Sequence, residues 1–271
     1  MLPNHCITES LYYRAVTRGS GLLLCALIPL ALQAQDERRV VSPNGQFEFR
    51  LFVGQPDGAL FSRVGYQVFF RGKPLITTSW MGLDIRDQEP FLGENPGFMS
   101  SDTASGDHFN SLVAHYMQNG SLGRRLDVEI RAYDDGVAFR YFMPKSTPLE
   151  DILIRDEATQ FNFAQPGVLS SLDTGPLAAQ PDFDLPLTVE QPGVGWVAIT
   201  DAGPEARSPK YPRTYLIRSG NGLLTNLARS KSEPTVAYVG KTPLVWPWRV
   251  VLAGPDRERL MQSETLKSLN H

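Results

Sequence analysis

The stretch "RRLDVEIRAYDDGVAFRYFMP", residues 124–144, decides the fold. Leu126, Val128, Ile130 and Ala132 alternate with Asp127, Glu129, Arg131 and Tyr133, the period of an extended strand with one buried face. Val137, Phe139 and Tyr141 resume the alternation beyond Asp134-Asp135-Gly136. Asp-Gly is a step that accepts positive φ, so the spacing predicts two antiparallel strands joined by a tight turn. Charged side chains crowd that turn, and they either do chemistry or close a sheet. Adjacent carboxylates at a turn diverge into solvent, which makes Asp134 and Asp135 turn formers. Arg131 and Arg140 flank the hairpin and can pair with Glu129, Asp134 or Asp135.

The same period recurs on both sides. "QFEFRLFV" puts Phe47, Phe49, Leu51 and Val53 on one face, and "VGYQVFFRGKPLI" does so with Val64, Tyr66 and Val68 before a Gly-Lys-Pro turn. "MGLDIRD" and "FNSLVAHYMQNG" are further strands, whereas Gln88 to Asp107 is rich in turn formers without periodicity and reads as a long surface loop. "ILIRDEATQFNFA", "GVGWVAITDAG", "RTYLIRS", "EPTVAYVG" and "PLVWPWRVVLAG" are short, β-branched or aromatic, and separated by Pro, Gly, Asn or Ser. Strands so spaced, with almost no helical period between them, predict an all-β sandwich. Only "PDRERLMQSETLKSLN" has a helical stripe, Leu260, Met261, Leu266 and Leu269, with Pro255 near its first turn.

The ends and the composition bound the function. In 271 residues with a net charge of -3 there is no basic field to draw nucleic acid or an anionic membrane surface. Arg14 and Arg18, an apolar run from Leu22 to Leu32 and the small-residue pattern Ala31, Gln33, Ala34 read as a secretory signal peptide over 1–34, with residues before Tyr13 as an upstream extension. The run is too short for a membrane span. Cys6 and Cys25 both fall in that segment, and Cys25 lacks the small residues a lipoprotein signal needs, so the exported chain would hold no cysteine and no disulfide. Residues 35–271 then read as a single domain in the periplasm or outside the cell.

Residues able to do chemistry are sparse. His108 and His115 are seven apart, without a carboxylate at helical spacing, and a strand would put them on opposite faces; His271 is terminal. No Gly-x-Ser-x-Gly elbow, dinucleotide fingerprint or phosphate loop appears. Glycoside hydrolysis needs two carboxyl groups facing across a cleft, and no pair in the chain announces itself, so no catalytic or metal-binding residue is assigned. Trp80, Trp196, Trp246 and Trp248 are the candidates for stacking on a sugar ring, with Trp246 and Trp248 preferred because an extended "VWPWRVV" puts both on one face.

"SPNGQFEFRLFV", "VGYQVFFRGKPLITTSWMGLDI", "GRRLDVEIRAYDDGVAFRYFMP", "PLVWPWRVVLAG" and "LMQSETLKSLN", in this order, resemble the N-terminal domain of glycoside hydrolase family 97 from Val40 to Asn270. The resemblance implies a large antiparallel β-super-sandwich, galactose mutarotase-like, with a short C-terminal helix. In the complete enzymes of that family such a sandwich precedes a (β/α)8 barrel that carries the catalytic carboxylates and acts on α-glucosides or α-galactosides with a calcium ion. A Tyr-Glu pair after an "FNF"-like strand supplies a glutamate to that ion in the family pattern. The corresponding segment, "FNFAQPGVLSSLDTGPLAAQPDFDLPLTVEQPGVGWVAIT", has no Tyr-Glu; Asp173 is its nearest carboxylate but stands in another context, so no calcium ligand and no cofactor are assigned to this chain. Two functions fit. One is an exported, non-catalytic sandwich that binds α-linked gluco- or galacto-oligosaccharides or acts as a scaffold. The other is a detached N-terminal half of an α-glucosidase or α-galactosidase that needs a catalytic barrel on another chain. Mutarotase-type chemistry would need a histidine and a carboxylate around a sugar ring, for which only His108 and His115 are at hand.

Overall fold

A computed structural model describes residues 35–120, 123–145, 149–165, 168, 181–220 and 222–271. The segment read as a leader, both cysteines and Asp173 lie outside the described residues. Strands dominate. An eight-stranded sheet runs in the order β13 (Leu187–Gln191), β14 (Gly195–Ala202), β19 (Trp248–Gly254), β9 (Gly136–Met143), β8 (Arg125–Tyr133), β7 (Phe109–Gln118), β6 (Pro96–Ser105), with β18 (Leu244–Val245) also on β9. A four-stranded meander follows chain order through β1 (Gln35–Val41), β2 (Phe47–Gly54), β3 (Arg63–Phe70) and β4 (Lys73–Trp80). A three-stranded sheet orders β17 (Tyr238–Lys241), β10 (Asp151–Glu157) and β5 (Leu83–Ile85), and a second four-stranded one β11 (Gln160–Phe161), β16 (Gly222–Leu227), β15 (Thr214–Ser219) and β12 (Asp182–Asp184).

Alternation decides which side chains meet. Leu126, Val128 and Ile130 of β8 and Val137, Phe139 and Tyr141 of β9 face inward, as do Phe47, Phe49 and Leu51 of β2 and Val64, Tyr66 and Val68 of β3. The faces lock through aromatic rings: Phe139 lies 5.5 Å from Phe49 and 4.9 Å from Tyr66, which is itself stacked on Phe49 at 5.2 Å. On the opposite face of the eight-stranded sheet, Tyr133, Ala138, Ala198, Trp248, Val250 and Leu252 form a second cluster. It is roofed by Leu260, Met261, Leu266 and Leu269 of the C-terminal segment.

Two expectations change. Residues 96–105, read as part of a loop, are the ten-residue edge strand β6, paired antiparallel with β7. An edge strand exposed on most of its length has no buried face to mark it with alternating apolar residues. The expected short C-terminal helix is Glu264–Asn270, capped by the Ser263 side chain, and a single helical turn, Arg257–Leu260, capped by Asp256, precedes it. The hairpin forms with Tyr133 opposite Gly136, but Asp134, Asp135 and Gly136 are absent from the residues of positive φ. Gly136 answers a need for space instead: a Cβ there would meet Leu252 Cδ2 and lie 2.9 Å from the Val251 carbonyl.

Candidate functional site

The turn that opened the question is held on both sides by other parts of the chain. The Asn44 amide donates to Asp134 Oδ1 at 2.8 Å, which fastens the β1–β2 turn to the hairpin. Asp135 accepts from the Glu264 amide at 2.7 Å and from Thr265 Oγ1 at 2.5 Å, so its carboxylate closes the first turn of the last helix. Behind them Arg131 Nη2 reaches Glu129 Oε1 at 2.9 Å and Arg140 Nη2 reaches Oε2 at 2.7 Å. Both guanidinium groups also lie over the Trp248 ring, at 4.8 and 4.3 Å. Arg131, Asp134, Asp135, Gly136 and Arg140 thus sit together as packing and capping groups.

Trp246 and Trp248 do not share a face. Pro247 separates β18 from β19, and the two indoles enter different clusters, Trp246 the main core and Trp248 the layer under the C-terminal helices. Their exposures are 0% and 2%, so neither ring can stack on a pyranose, and the platform expected there does not exist. Trp80 and Trp196 are half-buried.

Trp246 instead completes a buried ionic cluster that alternation could not reveal. On β10, Ile152 and Ile154 face inward, and a register shift between Ile154 and Asp156 turns Glu157 inward after them. Arg249 Nε donates to Glu157 Oε1 at 2.9 Å, while Arg249 Nη2 and, at 2.6 Å, Trp246 Nε1 donate to Oε2. The acid and the guanidinium are 0% and 1% exposed. Burial works against the Arg249 cation, yet Glu157, helped by Asp201 and Tyr141, more than offsets it, so its pKa stays raised. Close by, the Tyr141 hydroxyl bonds to Thr159 Oγ1 at 2.6 Å and accepts from the Gly82 amide at 3.0 Å. Burial, reinforced by the Glu157 charge, drives that phenol's pKa far up. Every polar atom but one is engaged: Arg249 Nη1, 4.0 Å from Asp201, has no hydrogen bond. A carboxylate sealed and doubly bonded in this way organises a core; it is not free to meet a substrate.

His115 stands on the outer face of the eight-stranded sheet between Asp102 of β6 and Asp127 of β8. Its Nε2 lies 3.1 Å from Asp102 and its Nδ1 3.0 Å from Asp127, the latter as an ion contact and not an aligned hydrogen bond. The two nitrogens point at different carboxylates, so the three groups do not converge on one ion. Among the described residues no set of three or more His, Cys, Asp or Glu gathers to hold a metal. No step is built on the calcium implied by the resemblance. An open cleft of about 330 Å³ lies at the end of β19, lined by Asp135, Asp256, Arg259, Gln262, Ser263 and Glu264. The carboxylates of Asp135 and Asp256 are occupied there as helix caps.

With this geometry in hand, the known proteins that match are informative. The profile of the glycosyl-hydrolase 97 N-terminal family matches residues 40–271. The chain belongs to that family. A retaining alpha-galactosidase of Bacteroides thetaiotaomicron is 27% identical over 135 residues, 44% of this chain and 18% of its own length. A glycoside hydrolase family 97 enzyme from Pseudoalteromonas sp. strain K8, solved with acarbose, superposes with a TM-score of 0.71 at 19% identity over 86% of this chain and 38% of its own. A beta-arabinopyranosidase does so at 0.59 and 20%, over 82% and 40%. At these identities the superpositions show the fold. The family 97 chain described here thus spans less than half the length of each relative.

Proposed function

We propose that this chain is an exported, non-catalytic β-sandwich that binds α-linked gluco- or galacto-oligosaccharides in the service of a family 97 glycoside hydrolase. The disposition of the acids carries the reading. Glycosidic cleavage needs two carboxyl groups across an open site, whereas Glu157 is sealed against Arg249 and Trp246, and Asp134 and Asp135 are spent on Asn44 and the last helix. Such a domain contributes surface and leaves proton transfer to another part. The sugar class follows the relatives, one named an alpha-galactosidase and one holding acarbose. A second reading is an N-terminal part of a glycoside hydrolase that works only with a (β/α)8 barrel, in keeping with the 38% of that second protein that it matches.

The test is an assay of the purified chain on 4-nitrophenyl α-galactoside and α-glucoside, alone and with an added family 97 barrel. The non-catalytic reading expects no release by the chain alone and a saturable heat on titration with panose. Release by the chain alone overturns it; release only after the barrel is added selects the detached half. Export, which rests on the apolar run Leu22–Leu32, is tested by sequencing the N-terminus of the secreted product.

A further inference from the structure

The outer face of the β1–β4 sheet is arranged in rows. Phe52 of β2 pairs with Gly65 of β3, and Gly65 with Trp80 of β4, whose amide donates to Gln160 Oε1 of β11 at 3.3 Å. One step along, Arg50 pairs with Gln67, whose Nε2 donates to Thr78 Oγ1 at 3.1 Å, and Asn162 Nδ2 donates to the Thr78 carbonyl at 2.8 Å. The glycines make room for the indole. A Cβ on Gly65 would come within 2.8 Å of Trp80 Cζ3 and 2.9 Å of Phe52 Cε2, and one on Gly54 within 3.1 Å of Trp80 Cη2. Neither glycine has a positive φ, so the backbone does not require them; the ring does. The indole, held edge-on by Phe52 at 6.0 Å, stays half-buried at the surface.

The flanking amides are fixed as well. Gln160 Oε1 accepts from the Trp80 amide and, at 3.4 Å, from Asn162 Nδ2, which leaves its Nε2 as a presented donor. Gln67 spends its Nε2 on Thr78, which leaves its Oε1 as a presented acceptor. Among the described residues neither atom, nor Trp80 Nε1, has a hydrogen-bond partner. The ions of this face are occupied elsewhere: Arg50 is held by Glu48 at 2.7 Å and lies over Phe69, and Arg63 turns to the Met81 carbonyl and Phe91. Trp196, the other half-buried indole, packs into the cluster under the C-terminal helices with Arg257 over its ring.

An aromatic ring beside one fixed donor and one fixed acceptor, without net charge, complements a neutral ring with an apolar face and hydroxyls at its rim. We infer that this face is a subsite for a neutral pyranose of an α-linked oligosaccharide, with Trp80 against the sugar ring and Gln160 Nε2 and Gln67 Oε1 bonding its hydroxyls. The inference rests on the carbohydrate-binding reading above and gives it a location. The experiment is calorimetric titration of the full chain and of Trp80→Ala, Gln67→Ala and Gln160→Ala with panose and raffinose, each variant checked for native near-UV dichroism. The subsite expects saturable heat in the parent chain, lost in Trp80→Ala and weakened about fivefold in each amide variant, the loss of one ordinary hydrogen bond. The amide variants keep the test valid should Trp80→Ala fail to fold. Heat unchanged in the folded variants overturns this location and leaves sugar binding standing. No heat with either sugar from the folded parent overturns both.

Discussion

Glu157 and Arg249 show how one inward charge constrains its neighbours. Two ions taken from water into the core gain little over an apolar pair of the same volume, but either one left alone is costly. Glu157→Gln is therefore expected to destabilise the fold by about 3–5 kcal/mol, read from chemical denaturation, because Arg249 keeps its buried charge. A combined Glu157→Leu and Arg249→Met chain should recover most of that loss. Equal losses in both would mean that Trp246 and its donor bond, not the ion pair, set the cost. His115 gives a second expectation. Burial lowers its pKa, and the carboxylates of Asp127 and Asp102 outweigh that, so the net shift is upward from 6.5. A raised folded pKa means that the stability contributed by the imidazolium is complete below about pH 6.5 and disappears as pH rises through the folded value. NMR titration of His115 should give a midpoint above 6.5, and His115→Asn should flatten the stability profile over that window; a midpoint at or below 6.5 would contradict the bracketed geometry.

The hairpin was legible as a hairpin but not for the reason its residues suggested. Gly136 is set by Leu252 and the Val251 carbonyl across the strand pair, contacts that only tertiary structure brings together. Gly136→Ala is accordingly expected to cost about 1–3 kcal/mol through overpacking, measured by thermal unfolding, net of the smaller gain from a stiffer unfolded chain. Asp135 lies 129 residues from Glu264, whose amide it accepts, so sequence could not show it as a cap. Asp135→Ala should lower stability by about 1 kcal/mol and speed amide exchange first in Glu264–Asn270. Alternating strands such as β2, β3, β8 and β9 were readable because each has one dry face. β6 was not, since it is exposed over most of its length, and the position of Glu157 was hidden because a register shift changes parity within a strand. Pro247 hid the divergence of Trp246 and Trp248 in the same way, by breaking an extension that the spacing of the two indoles assumes. The half-buried Trp80 was visible as a residue, but the amides that flank it come from β3 and β11 and meet only in the fold.

The whole domain is expected to unfold as one unit, and the reason is the continuity of its core. One cluster takes Phe49 and Tyr66 from the meander, Ile152 and Tyr238 from the three-stranded sheet, Phe161 and Leu216 from the second four-stranded sheet, and Val128 and Phe139 from the large sheet. Within that cluster, among the described residues, no sheet has a share that could survive the loss of the others. Phe139 is the sharpest probe, since its ring touches Phe49, Tyr66 and, at 6.4 Å, Phe161, so that a single side chain ties three of the sheets together. Phe139→Ala should cost about 3–5 kcal/mol and move the unfolding midpoints of far-UV and near-UV dichroism by the same amount, keeping them coincident. If the midpoints separate instead, the sheets fold as more than one unit and the core is less continuous than its contacts describe. The layer beneath the C-terminal helices gives the internal control: it is a distinct cluster on the outer face, so Leu269→Ala should loosen amide exchange in those helices while leaving the meander's exchange at the global rate.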